Sequence, residues 1–170
     1  ETDQREYHGK PLTNTDCKYE GLIPGQTIGA DTQTVTQITN VGTVENKTQF
    51  IISADRQIVT ANYAVTYVYG TLTVTPRNVW IETASANKIY DATPLSSDET
   101  NVHHIENGQI VENNSGLVLS HKTVLISSEV SIIDVGRIVN EKRFAIFDGN
   151  KDVTENYAIW DEYYTFGTLE

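Results

Sequence analysis

The chain has one cysteine, no methionine, four prolines and eight leucines among 170 residues, and each shortage closes off a class of structure. A lone Cys17 excludes an internal disulfide framework and a cysteine-rich zinc site, and it reads as a small packed residue. Apolar runs are only a few residues long, so no segment is expected to insert into a bilayer. Twelve Lys and Arg face 23 Asp and Glu, and the net charge of -11 excludes a phosphate backbone or an anionic lipid surface as a natural partner. The N-terminal stretch has neither a basic n-region nor an apolar h-region, so any targeting signal is expected outside these residues. What is abundant is Val, Ile and Thr, together 54 residues, a bias toward β-strand. With 38% hydrophobic residues there is enough apolar material for packed cores.

The chain repeats itself. Tyr7-His8-Gly9-Lys10-Pro11-Leu12 returns 83 residues later as Tyr90-Asp91-Ala92-Thr93-Pro94-Leu95. Asn40-Val41-Gly42 returns as Asp134-Val135-Gly136 and Val59-Thr60-Ala61-Asn62-Tyr63 as Val153-Thr154-Glu155-Asn156-Tyr157, both at an offset of 94. Tyr69-Gly70-Thr71-Leu72 meets Phe166-Gly167-Thr168-Leu169 at 97. The widening offset places about eleven extra residues between Ser96 and Asp134, and three more near 161–163, as loops or hairpin extensions. Two units follow, 1–77 and 78–170, joined at Pro76 with no room for a flexible linker.

Within each unit the periodicity is two. Tyr63, Val65, Tyr67 and Tyr69 share one face of an extended segment, as do Phe50, Ile52 and Ala54, Phe144 and Ile146, and Val79, Ile81 and Thr83. Gly70 interrupts one such run and reads as a bulge or bend. The expected fold class is all-β: two tandem antiparallel β-sandwiches of immunoglobulin-like type, with β-grasp-like modules as the alternative. Asn78–Ser85 precede the tyrosine of unit two, whereas only Glu1–Glu6 precede that of unit one. Unit one is thus expected to lack its first strand and unit two its last, leaving edges that could recruit a strand from another molecule.

Taken in order, the Tyr-x-x-x-Pro-Leu, Asn/Asp-Val-Gly, Val-Thr-x-Asn-Tyr and aromatic-Gly-Thr-Leu blocks resemble the MBG-type and YDG-type repeats of bacterial surface adhesins and mucus-binding proteins. The resemblance covers nearly the whole chain. It departs at Tyr7-His8-Gly9 and Tyr90-Asp91-Ala92, where such repeats often carry Tyr-Asp-Gly. It implies an extracellular, wall-anchored or secreted parent on a bacterial surface, modules without enzymatic activity or cofactor, and neighbouring repeats as partners, with mucin glycans or host glycoproteins as ligands. No ligand-binding residue is carried over.

Positions common to both units read as scaffold: Tyr63 and Tyr157, Pro11 and Pro94, Gly42 and Gly136, Gly70 and Gly167, with Asn62 and Asn156 bonding turn backbone. Aromatic residues found in one unit only are the binding candidates, because rings with polar rims dominate recognition surfaces. These are Trp160, where unit one has Thr66, and Tyr163 in the adjoining insertion; both could equally cover a longer hairpin. Trp80, flanked by Val79 and Ile81, reads as a wedge between units. His103-His104 reads as a solvated loop and not a metal site, since adjacent strand residues point to opposite faces. Asp98-Glu99 and Asp161-Glu162 lack the ligand spacing of a calcium loop. No nucleophile elbow, zinc-binding histidine pair or phosphate loop stands in a suitable context, so catalysis is not expected. Two roles remain: adhesion, or a spacer that projects a distal adhesin.

Overall fold

The computed structural model describes residues 1–112, 115–118 and 120–170, with Tyr163 described by its backbone alone. The protein is all-β: 41% of it is strand, arranged in several small sheets, none closed into a barrel, compatible with a β-sandwich. Among the described residues the helical pieces are three-residue 3-10 turns, so the helix that a β-grasp sheet would wrap is not there. The chain divides into two compact units, Glu1–Thr75 and Pro76–Glu170.

Unit one contains β1 (Asp3–Glu6), β2 (Thr27–Ala30), β3 (Gly42–Asn46), β4 (Phe50–Ala54), β5 (Gln57–Ile58) and β6 (Gly70–Thr75). β6 is the centre of one sheet, parallel to β1 and antiparallel to β3. β4 is the centre of the other, antiparallel to β2 and β5. Tyr7, Leu12, Ile52, Leu72 and Val74 are buried, and the alternation of Leu72 and Val74 along β6 is the period-two pattern made physical.

Unit two contains β7 (Arg77–Thr83), β8 (Thr100–Glu106), β9 (Gln109–Glu112), β10 (Lys122–Leu125), β11 (Ile138–Val139), β12 (Phe144–Asp148), β13 (Lys151–Asp152), β14 (Tyr157–Ala158), β15 (Tyr164–Thr165) and β16 (Thr168–Leu169). β10, β12 and β13 repeat the β2, β4 and β5 arrangement. β7 lies antiparallel to β8 and parallel to β14 and β15. It buries Val79, Ile81 and Thr83, so the sheet is mixed and not purely antiparallel. Arg77 and Asn78 pair with Tyr157 and Ala158, which seats both at the start of unit two. The extra residues of this unit begin after Ile105. β9 folds back on β8 through Asn107 and Gly108, both at positive φ, the conformation of a tight hairpin turn. The three-residue insertion is the 3-10 turn Asp161–Tyr163.

The two units share more than sequence blocks. Leu12 and Ile38 exchange two backbone hydrogen bonds, as do Leu95 and Ile132. The hydroxyl of Thr60 accepts from the Ile52 N–H at 2.8 Å, and that of Thr154 from the Ile146 N–H at 2.8 Å. Buried Asn46 donates through Nδ2 to the carbonyls of Glu1 and Asn14, and buried Asn140 donates likewise to Ala84 and Ser97. Each asparagine thus ties together two backbone segments that no ladder joins, satisfying carbonyls that would otherwise be buried without donors.

Candidate functional site

The shared residues fall into distinct physical roles. Pro11 and Pro94 are exposed and precede the Leu12 and Leu95 bridges, so they shape turns and not a core. A Cβ at Gly70 would lie within 3.0 Å of the Glu1 backbone, and one at Gly167 within 3.0 Å of the Ala84 backbone. Close approach of a parallel segment, and not a bulge, explains both glycines. Gly42 sits at φ +147, whereas Gly136 needs no special conformation and meets Ile132 at an ordinary distance. Tyr157 is buried, its hydroxyl accepting from the Val118 N–H at 3.1 Å and meeting His121 Nδ1 at 2.6 Å. Tyr63 is only half-buried and donates to Gln26. Asn156 is buried while Asn62 is exposed.

Of the aromatic candidates, Trp160 stands at the start of the Asp161–Tyr163 turn with 57% of its surface exposed. The side chain of Tyr163 lies outside the described residues. In the strand that follows, Tyr164 and Phe166 stack at 5.7 Å, and the Arg143 guanidinium lies 4.6 Å from both ring centres. Arg143 also pairs with Glu141 and Asp161, each at 3.5 Å. Burial pushes the Tyr164 hydroxyl up from its ordinary value, outweighing the Phe144 N–H it accepts and the nearby Arg143 charge. Trp80 lies mid-strand on β7, half-buried, and donates to Thr165 Oγ1 at 2.9 Å within its own unit.

Two readings of polar residues need correction. His103 and His104 are not in a solvated loop; they sit in β8 and are both buried, because Ser115–Val118 runs back over that strand. His103 Nε2 lies 3.6 Å from Glu82. The acidic pairs are occupied by cations of the chain itself. Asp161 takes Arg143, and Asp98 takes Lys142, whose side chain is fully buried and also donates to the Ser97 carbonyl at 3.1 Å. Neither Lys142 nor Asn140 was singled out by sequence. The signal lay in the repeat, because Asn46 stands 94 residues before Asn140, with Thr48 in the place of Lys142.

Two grooves remain. The first, about 1010 Å³, lies in unit one between the stretches 16–22 and 63–70. It is floored by Ile28, Phe50 and Ile52 and edged by Tyr67 and Tyr69, whose rings stack at 5.6 Å. Cys17 lines it, half-buried, and burial pushes its thiol up. The second, about 770 Å³, lies in unit two between Asn87–Tyr90 and Ile132–Arg137. Here Tyr90 is 56% exposed where its counterpart Tyr7 is 4% exposed.

The fold therefore defines a tandem of two related all-β modules. No family model, no curated protein and no solved structure matches the chain.

Proposed function

We propose that the chain is a non-catalytic tandem module of a bacterial cell-surface protein that contributes to adhesion, with a mucin or host-glycoprotein ligand taken by the second unit. The observation that carries this reading is Trp160. A large indole exposed to 57%, in a segment that unit one lacks, contributes little to a core and presents an apolar face beside exposed acids. The Arg143, Tyr164 and Phe166 stack on the same stretch supplies a rigid, partly polar surface of the composition that recognition sites favour. The repeated Tyr, Pro, Gly and Asn positions act as scaffold beneath it. The test is binding of the whole chain and of Trp160→Ala to arrays of mucins, glycans and matrix proteins at physiological salt. Saturable binding weakened at least about tenfold by the substitution supports an adhesive site, a hot-spot loss of the usual size.

A spacer role is the second reading. It is favoured by the duplicated buried hydrogen bonds and by a junction of one residue, Pro76, between β6 and β7. Absence of binding by both the parent chain and the variant is the outcome that assigns this role.

A further inference from the structure

The two units differ most at one place, and the difference has the shape of a strand. In unit two, β7 fits between β8 on one side and β14 and β15 on the other. The repeat offsets map these neighbours onto unit one: Thr100–His104 correspond to Cys17–Gly21, Tyr157 and Ala158 to Tyr63 and Ala64, and Tyr164 and Thr165 to Tyr67 and Val68. Those stretches of unit one face the first groove, and neither 13–23 nor 64–69 belongs to any ladder.

Side chains around the groove report the same vacancy. Tyr19 is 55% exposed where Val102 is 6% exposed. Leu22, Phe50 and Tyr63 are half-buried, whereas Ile105, Phe144 and Tyr157 are buried. The end of the groove is marked as well, since Glu1 meets Gly70 and Asn46 as Ala84 meets Gly167 and Asn140. A strand seated as β7 is seated would therefore finish at Glu1.

We propose that this groove is an acceptor for strand addition, and that its occupant is a seven-residue extended polypeptide with the pattern of Arg77–Thr83. The register follows from unit two. The strand runs antiparallel to Cys17–Gly21, placing its fifth residue opposite Tyr19 and its seventh opposite Cys17. It runs parallel to Tyr63–Ala64 and Tyr67–Val68. Its third, fifth and seventh residues point inward, where Val79, Ile81 and Thr83 point in unit two. Seven residues span about 23 Å, and the backbone groups of both flanking segments supply the affinity while the inward pocket selects β-branched side chains. This interaction surface is separate from the Trp160 surface and independent of the adhesive reading.

The single cysteine makes the test direct. The whole chain is titrated with a capped synthetic peptide of sequence Arg77–Thr83 while the rate of Cys17 modification by an aromatic disulfide reagent is followed. Amide shifts are mapped in parallel. The expected result is saturable protection of Cys17, roughly tenfold or more at saturation because the thiol loses access to the reagent, with shifts confined to 17–21 and 63–69. A peptide with Val79→Asp and Ile81→Asp should not protect. A second arm joins the same seven residues ahead of Glu1. That chain should protect Cys17 unaided and should no longer respond to the free peptide, and this result alone sustains the proposal if the free peptide binds too weakly. Failure of both arms overturns it. So does protection by the Asp-substituted peptide. Protection that rises with chain concentration in the absence of peptide, with a dimer in sedimentation, overturns it in favour of a second copy as occupant.

Discussion

Lys142 is the most unusual single residue, a fully buried ammonium held by Asp98 and the Ser97 carbonyl. The two partners are not equivalent, since the Asp98 side chain is 58% exposed. Asp98→Ala leaves a buried charge with one carbonyl and is expected to cost about 3 kcal/mol, the penalty of an uncompensated buried ion. Lys142→Met fills much of the same volume, returns Asp98 to water and leaves the Ser97 carbonyl with Asn140, so about 1 kcal/mol is expected. Urea unfolding of the two variants measures the asymmetry, and equal losses would contradict it. Asp91 offers a test by pH. The Lys88 ammonium and the Thr93 hydroxyl and N–H hold its carboxylate well below the usual range. A depressed folded value means the unfolded chain binds the proton more readily. The Asp91 contribution is therefore complete above the ordinary carboxylate value, about pH 4, and fades as pH falls through the folded value. The stability gap between the native chain and Asp91→Asn should be flat at neutral pH and close on the acid side. A gap that widens in acid would refute the assignment.

At the scale of elements, the same glycine in two repeats does not mean the same constraint. Gly70→Ala and Gly167→Ala force a Cβ into the backbone of Glu1 and of Ala84, and should separate β1 from β6 and the Ala86 segment from β16. Each should lose about 2 kcal/mol or more, the usual result of overpacking against backbone that cannot yield. Gly136→Ala meets only Ile132 at 3.7 Å, with no positive φ, and should change stability by less than about 0.5 kcal/mol. Thermal denaturation of the three variants separates close approach from mere repetition. The segment Tyr63–Tyr69 makes a related point. Its alternation put Tyr67 and Tyr69 on one face, where they stack, yet it forms no ladder in unit one because a strand also needs a partner on which to spend its backbone hydrogen bonds.

The whole molecule is two units, each with its own buried residues and its own asparagine staple. Unit one keeps an open groove where unit two has β7, so it buries less apolar surface at equivalent positions and should be the weaker unit. Hydrogen exchange in rising urea is expected to expose amides of β3 and β6 before those of β7 and β12, in two steps. A single cooperative step would show that the units stand or fall together. Among the described residues no helix is long and apolar enough to cross a membrane, which agrees with the absence of such a segment in the composition.

The sequence by itself determined the all-β class, through its Val, Ile and Thr content and its period of two, and it determined the internal repeat, because identical neighbours in the same order need no coordinates to be seen. The insertions were legible as offsets, and Trp160 was legible as a residue only one unit possesses. Tertiary structure decided the rest. His103 and His104 became buried only because Ser115–Val118 folds across β8, and Lys142 became a core residue only because Asp98 and Ser97 arrive from far along the chain. Burial and pairing are properties of segments distant in sequence, and local pattern carries the face a side chain takes but not what, if anything, comes to cover it.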